Sequence, residues 1–143
     1  MNSVLYCLHN LSQKSHLRRM EKFTQHGDTS CLLHTIAVAY YSIKIAEFFG
    51  IKYKKRDLIR GALLHDYFLY DWHDGKGRHL HGFTHPECAF RNAEKDYTLS
   101  PRVKNIIIRH MFPLTPVPPT CTEAWIVCIA DKICAIEETL FRR

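Results

Sequence analysis

The chain has 143 residues, of which 46% are apolar, and a formal net charge of +6 at pH 7, so it can bury a core, and we expect one domain over residues 1–143. Its only basic run, Lys52–Arg56, is more typical of a solvated loop or helix start than of a nucleic-acid patch, so no nucleic-acid partner is expected. The six cysteines show no Cys-x-x-Cys spacing, which predicts reduced thiols. The sequence shows no stretch long enough to span a bilayer and no leader-like N-terminus, so we expect a cytoplasmic protein without a membrane partner.

Helix start and stop signals follow one another along the chain. An amphipathic stretch begins near residue 3, and we expect a helical segment within residues 1–25. The polar residues 28–30 can cap a second helix, which carries apolar residues at three- and four-residue spacing and ends at Gly50. Asp57 is a candidate cap for the helix that leads into His65 and Asp66.

Three more helices are predicted further along. Thr84–Glu87 and Thr120–Glu123 each match a capping box, and the pair Ser100–Pro101 opens the helix between them, which ends before Pro113. No segment shows convincing strand alternation. We therefore predict an all-α fold, a single compact bundle of about five to seven helices.

Histidines and aspartates recur where the predicted helices face inward. His34, His110 and Asp131 each have apolar residues three or four positions away, which places them on the inward stripes of three helices. His65 and Asp66 close an apolar segment. Taken singly, such residues have ordinary explanations: a core histidine bonded to a carbonyl, or an aspartate paired with an arginine.

His85 taken alone could simply be a residue of a capped helix. Considered together, His85 and the histidines and aspartates above favour a metal centre. Five separate segments supply a histidine or aspartate at an inward position, and an unpaired carboxylate in apolar surroundings is costly. Because successive helical residues point about 100° apart, His65 can bind one ion while the carboxylate of Asp66 reaches another. The sequence therefore predicts a divalent metal centre.

The order of His34, His65–Asp66 and Asp131 resembles the pattern of the HD superfamily of metal-dependent phosphohydrolases, over residues 34–131. The additional histidines resemble those of its dinuclear members. The nearest likeness is to bacterial HD-type dinucleoside tetraphosphate hydrolases, through three segments, His85–Ala89, Ile107–His110 and Ala130–Ile133. The resemblance implies a compact helical bundle and metal ligation by six residues: His34, His65, Asp66, His85, His110 and Asp131.

The implied activity is hydrolysis of a small, nucleotide-like phosphate ester or anhydride, with His65 and Asp66 as catalytic residues. Two ions about 3.5–4 Å apart can share a water, lower its pKa to about 7 and supply hydroxide, and Asp66 would bridge them. Nitrogen-rich ligand sets suit iron, manganese, cobalt or nickel better than magnesium. The alternative is a non-catalytic HD module that uses a metal site for stability or ligand sensing.

The segment after Asp66 departs from the pattern of those hydrolases, and it lacks the glycine-tyrosine-proline signature of the cyclic dinucleotide phosphodiesterases in the superfamily. We predict an active-site loop over residues 67–83, whose aromatic side chains either stack a nucleobase or bury a helix end. Amides in the first turn of the helix at His85 could also help to hold a phosphate. The candidate substrate-binding residues are Lys76, Arg78, His81 and Lys132.

Overall fold

The structure, a computed structural model, describes residues 2–13, 17–22, 24–26, 29–67 and 81–141. These residues form six α-helices, one 3-10 helix and two short strands. In chain order they are α1 (Asn2–Ser12), the 3-10 helix (Leu17–Lys22), β1 (Thr24–His26), β2 (Thr29–Ser30), α2 (Cys31–Phe48), α3 (Lys55–Leu64), α4 (His81–Asp96), α5 (Pro101–Arg109) and α6 (Thr122–Phe141). The predicted all-α fold with five to seven helices is confirmed.

Two helix starts and one helix end lie where the sequence predicts them. The Ser30 hydroxyl accepts a hydrogen bond from the amide of Leu33 (3.2 Å) and begins α2. In the same way, the Ser100 hydroxyl accepts from the amide of Val103 (3.2 Å) at the start of α5. Gly50, just past the end of α2, has a φ of 63°, a left-handed conformation that favours glycine and ends helices.

Three of the predicted caps are wrong. Asp57 lies inside α3, where its carboxylate accepts a hydrogen bond from Ser100 (2.9 Å). Thr84 lies inside α4, which begins at His81. Thr120 precedes α6 by two residues, and its hydroxyl accepts a hydrogen bond from the side-chain amide of Asn105 (2.8 Å). A cap contributes only about 1 kcal/mol, so tertiary contacts of this kind can override it.

The predicted N-terminal helical segment is only partly helical. After α1 and the 3-10 helix, β1 pairs with β2 in antiparallel orientation, with Thr24 opposite Ser30 and His26 opposite Thr29. Strands of two and three residues are too short to show alternation in the sequence, which is why no strand was predicted. This pair leads directly into α2.

The core lies where five helices meet. α2 packs against α3 and α6, while α5 packs against α3, α4 and α6. Buried apolar side chains from all of these helices form one cluster. All six cysteines are free thiols, and among the described residues no helix has the length and apolar character needed to cross a membrane.

Candidate metal centre

The helices bring the six predicted ligands into one buried cluster. His65 and His110 are the residues that follow α3 and α5 as C-caps, and their rings lie 4.7 Å apart between centroids. The ring of His34, from the first turn of α2, lies 5.5 Å from that of His65. The remaining members come from the turn after α3, from α4 and from α6. All six side chains are buried.

Four of these residues form the first group, His34, His65, Asp66 and Asp131, in which ligand atoms from every member lie within 4.8 Å of one another. Asp131 Oδ1 lies 2.8 Å from His34 Nε2 and 3.3 Å from His65 Nε2. Asp66 Oδ2 lies 3.6 Å and 3.3 Å from the same two nitrogens. This group could hold a metal ion.

The second group consists of Asp66, His85 and His110. Here the other carboxylate oxygen of Asp66, Oδ1, lies 3.1 Å from His85 Nε2 and 3.3 Å from His110 Nε2. The two histidine nitrogens lie 2.8 Å apart. Asp66 therefore belongs to both groups, and it directs one oxygen to each.

Backbone carbonyls orient two of the histidines. His65 donates its Nδ1 hydrogen to the carbonyl of Ala62 (2.6 Å), and His110 donates its Nδ1 hydrogen to the carbonyl of Ile107 (2.7 Å). These carbonyls lie in the last turn of their helices, where no amide of the helix can bond to them. Since a carbonyl only accepts, Nδ1 carries a hydrogen, and in the neutral ring the Nε2 lone pair faces the cluster.

A carboxylate that the sequence did not suggest holds the third histidine. Glu138, in the last turn of α6, is buried and lies 2.8 Å from His34 Nδ1 through its Oε2. Its position seven residues after Asp131 places it on the same inward stripe of the helix. That spacing is the one local signal that could have identified it.

Short contacts within the cluster shift the pKa values of its histidines and carboxylates. Burial works against a charged imidazole, but hydrogen bonds to Asp131 and Glu138 and the charges of Asp131 and Asp66 raise the pKa of His34 to about 9. Burial likewise opposes the charged carboxylates, yet the charge of His65 and hydrogen bonds from neighbouring histidines hold the pKa values of Asp66 and Asp131 well below their usual range.

The donor set fits a divalent cation. Burial, together with the charges of His65 and His85, lowers the pKa of His110, which favours the neutral form that binds metals. The C-terminal ends of α3 and α5 each carry a partial negative charge toward the cluster. Imidazole nitrogens with two carboxylates, one of them shared between the groups, are suited to transition metals.

The predicted substrate-binding residues do not form a cluster like that of the predicted metal ligands among the described residues. Lys132 donates from Nζ to the backbone carbonyl of His110 (3.0 Å) and lies 3.2 Å from Cys128 Sγ, so it fastens α6 to the end of α5. Lys76 and Arg78 lie outside the described residues, as does the side chain of His81, the first residue of α4. The assignment of these four residues to substrate binding stays a prediction.

The predicted loop is shorter than residues 67–83, because α4 begins at His81 and Tyr67 is buried in the core. The Tyr67 hydroxyl donates to Asp96 Oδ2 (2.6 Å), so this aromatic residue bonds to the last residue of α4. Residues 68–80 lie outside the described part of the chain. His85 lies in the second turn of α4, and the predicted phosphate site on first-turn amides at this residue is therefore wrong.

The protein is an all-α domain with buried histidines and aspartates in two groups that share one carboxylate. This arrangement places it in the class of helical proteins suited to divalent metal ions. The family comparison is specific: the HD domain model matches residues 32–136. The chain therefore belongs to the HD domain family, which indicates a metal-dependent phosphohydrolase. No curated protein and no solved structure matched the chain.

Proposed function

We propose that the protein is a dinuclear metal-dependent phosphohydrolase that acts on a small nucleotide-like phosphate ester or anhydride. The division of the Asp66 carboxylate between two histidine groups supports this proposal most directly. Its Oδ2 faces His34 and His65, and its Oδ1 faces His85 and His110. A carboxylate in that position can bridge two ions, whereas a mononuclear site would leave the second pair of histidines unused.

The first ion would be held by His34, His65 and Asp131, and the second by His85 and His110, with Asp66 shared. Two divalent ions, when bound, would activate a water molecule as the nucleophile and neutralise phosphoryl oxygens. The residues of this chain set the geometry for that chemistry. The carbonyls of Ala62 and Ile107 hold the Nδ1 hydrogens of His65 and His110, so the Nε2 atoms stay directed at the ions.

Burial contributes to the same function. The ligands are 0–7% exposed, and electrostatic interactions are stronger when water is excluded from a site. The formal net charge of +6 is consistent with an anionic substrate. The nucleotide character of the substrate rests on the resemblance to the dinucleoside tetraphosphate hydrolases alone.

The test combines metal analysis with an activity panel. The purified protein, loaded in turn with iron, manganese, cobalt or nickel under reducing conditions, should bind two ions per chain by elemental analysis. The loaded forms should hydrolyse at least one member of a panel of nucleotides, dinucleoside polyphosphates and simple phosphodiesters, and a chelator should abolish the activity.

Two results would contradict different parts of the proposed function. Saturation at one ion would contradict the dinuclear site. Two bound ions without hydrolysis of any panel member would contradict the enzymatic assignment and favour a non-catalytic HD module that uses its metals for stability or ligand sensing.

A further inference from the structure

Glu138 is a buried carboxylate that the proposed reaction does not use. It is 3% exposed and lies 104 positions after His34, beyond the residues that the HD domain model matches. Burying a carboxylate is costly unless it is strongly hydrogen-bonded. Its Oε2 lies 2.8 Å from His34 Nδ1, a contact short enough to stabilise a charged group.

The position of His34 in its helix explains why it needs this partner. His65 and His110 follow the C-terminal ends of helices and bond to carbonyls of their own last turns. His34 lies in the first turn of α2. The groups that lack helical partners at an N-terminal end are amides rather than carbonyls, so a hydrogen-bond acceptor for His34 Nδ1 has to come from another element. Glu138 of α6 supplies it.

We propose that Glu138 is a positioning residue for His34. It keeps Nδ1 protonated and turns Nε2 toward Asp131, whose Oδ1 lies 2.8 Å away. Carboxylates that bond to the outer nitrogen of a ligating histidine fix its tautomer and increase its basicity. This inference rests on the proposed metal site, and the experiment below separates the two.

The chain offers a matched control one residue away. Glu137 lies on the same turn of α6, and its carboxylate accepts a hydrogen bond from the Tyr41 hydroxyl (2.6 Å). Glu138→Ala removes the acceptor of His34. Glu138→Gln keeps an oxygen acceptor of nearly the same shape and removes only its charge, and Glu137→Gln tests the loss of a neighbouring carboxylate.

The readout is the affinity of the full-length protein for Co²⁺, measured by competition with a chelator and by the visible absorption of the bound ion. Removing such a partner typically weakens metal binding by about 10- to 100-fold. We expect a loss of this size at the first group for Glu138→Ala, a smaller loss for Glu138→Gln, and an affinity within about threefold of the parent for Glu137→Gln. The Co²⁺ spectrum should change in both Glu138 variants.

The outcomes are distinguishable. If the parent protein binds Co²⁺ and both Glu138 variants match it in affinity and spectrum, Glu138 is a packing residue and the inference is overturned, while the proposed function stands. If Glu137→Gln weakens binding as much as Glu138→Gln, the specific role is also refuted. A parent protein that binds no Co²⁺ overturns the proposed metal site and this inference together. Should Glu138→Ala fail to fold, the near-isosteric Glu138→Gln variant decides the question.

A second, independent observation concerns the outer face of α6. Five large apolar side chains, Trp125, Ile129, Ile133, Ile136 and Leu140, are 41–59% exposed. At 100° per residue they fall within an arc of about 80° and extend roughly 22 Å along the helix. We call this row the α6 stripe. The opposite face of the same helix is buried in the core, so α6 carries large apolar side chains on two opposite faces, a pattern that favours a helix covered on both sides.

The spacing of the α6 stripe fits a second helix. Ile129, Ile133, Ile136 and Leu140 follow one another at intervals of four, three and four residues, the repeat that packs one helix against another like it. The exposed apolar area of the stripe is on the order of 500 Å². Two copies would therefore bury about 1,000 Å², the size at which specific interfaces begin.

We infer that the α6 stripe joins two copies of this chain. Sedimentation of the full chain between 1 and 100 µM should show a dimer. Ile129→Glu combined with Ile136→Glu should give a monomer with an unchanged circular dichroism spectrum, because both side chains point outward. Phe141→Glu, at a residue that is 78% exposed but lies off the stripe, should leave the dimer intact.

A monomeric parent protein at 100 µM would overturn this inference, as would a dimer that persists in the double variant. Dissociation by Phe141→Glu to the same extent would place the contact elsewhere on α6.

Discussion

Gly61 lies at a close contact between the two helices that present His65 and His110. A Cβ atom at Gly61 would lie 2.3 Å from Cδ1 of Ile106 and 2.9 Å from its Cβ and Cγ2, whereas carbon atoms pack at about 3.5–4.0 Å. Rotation of the Ile106 side chain can move Cδ1 but not Cβ. In Gly61→Ala, α3 and α5 must therefore separate by roughly half an ångström.

The expected cost combines two opposing effects. Glycine to alanine inside a helix favours folding by up to about 1 kcal/mol, while forcing an extra methyl into a packed core costs about 1–3 kcal/mol, occasionally more. Since the Cβ contact cannot be relieved by rotation, the upper part of that range applies, and we expect a net loss of about 1–2 kcal/mol. For a chain of this size that lowers the melting temperature by roughly 3–8 °C.

Thermal unfolding followed by circular dichroism measures this loss, and a double-mutant cycle with Ile106→Ala assigns its cause. Ile106→Ala removes the contacts of the new methyl with Cδ1 and Cγ2 and leaves the one with Cβ, so the alanine at position 61 should cost about 0.5–1 kcal/mol less in that background, a coupling in the range found for residues in contact. Metal affinity should fall in Gly61→Ala, because His65 and His110 move with their helices. A rise in melting temperature, or the same cost in both backgrounds, would refute the reasoning.

Three further predictions concern the site. Asp66→Ala should lose far more than tenfold of any hydrolytic rate, which corresponds to more than about 1.4 kcal/mol in the barrier, with the fold retained by circular dichroism; activity within tenfold would contradict a bridging role. In metal-free protein, the pKa of His34 is raised from 6.5 to about 9, so its stabilising contribution is complete below pH 6.5 and is lost as pH rises through 9. Because, despite burial, the charges of Asp66 and Asp131 also raise the pKa of His65, the free energy of unfolding from denaturant titrations should fall by about 3 kcal/mol or more as pH rises, and a flat profile would contradict the ion pairs of both histidines. Finally, Lys76→Ala with Arg78→Ala should raise KM for a phosphorylated substrate at unchanged metal content; unaltered kinetic constants would remove these residues from substrate binding.

The burial of the candidate ligands could be predicted from the sequence because it follows from local periodicity. His34, His110 and Asp131 share helical stripes with apolar neighbours, and the structure buries all three. Once a helix is packed on a core, the three- and four-residue spacing determines which side chains face inward. The convergence of these side chains on one cluster depends on how the helices pack, and the sequence suggested it only through the number of inward histidines and aspartates and through the resemblance to a known family.

Features that depend on contacts between distant segments could not be predicted in this way. The capping box at Thr84 predicted a helix start, but α4 begins at His81. Glu138 is next to Glu137 in the sequence and of the same chemical type. Its spacing from Asp131 places it on the inward stripe of α6, but the partner that each glutamate meets depends on the packing of α6 against α2. Glu138 reaches His34, and Glu137 reaches Tyr41.

The placement of histidines at helix ends connects the fold to the chemistry of the site. A histidine that follows a helix can use a carbonyl of the last turn, which has no helical partner, to fix its tautomer, and His65 and His110 both do so. The same two helix ends carry partial negative charge toward the cluster, next to the carboxylates of Asp66 and Asp131. A cation is needed to balance the negative charge of these helix ends and carboxylates. Protonated His34 is such a cation in the metal-free protein, and a divalent ion would take over that role when it displaces the proton from Nε2 while Glu138 keeps the hydrogen on Nδ1.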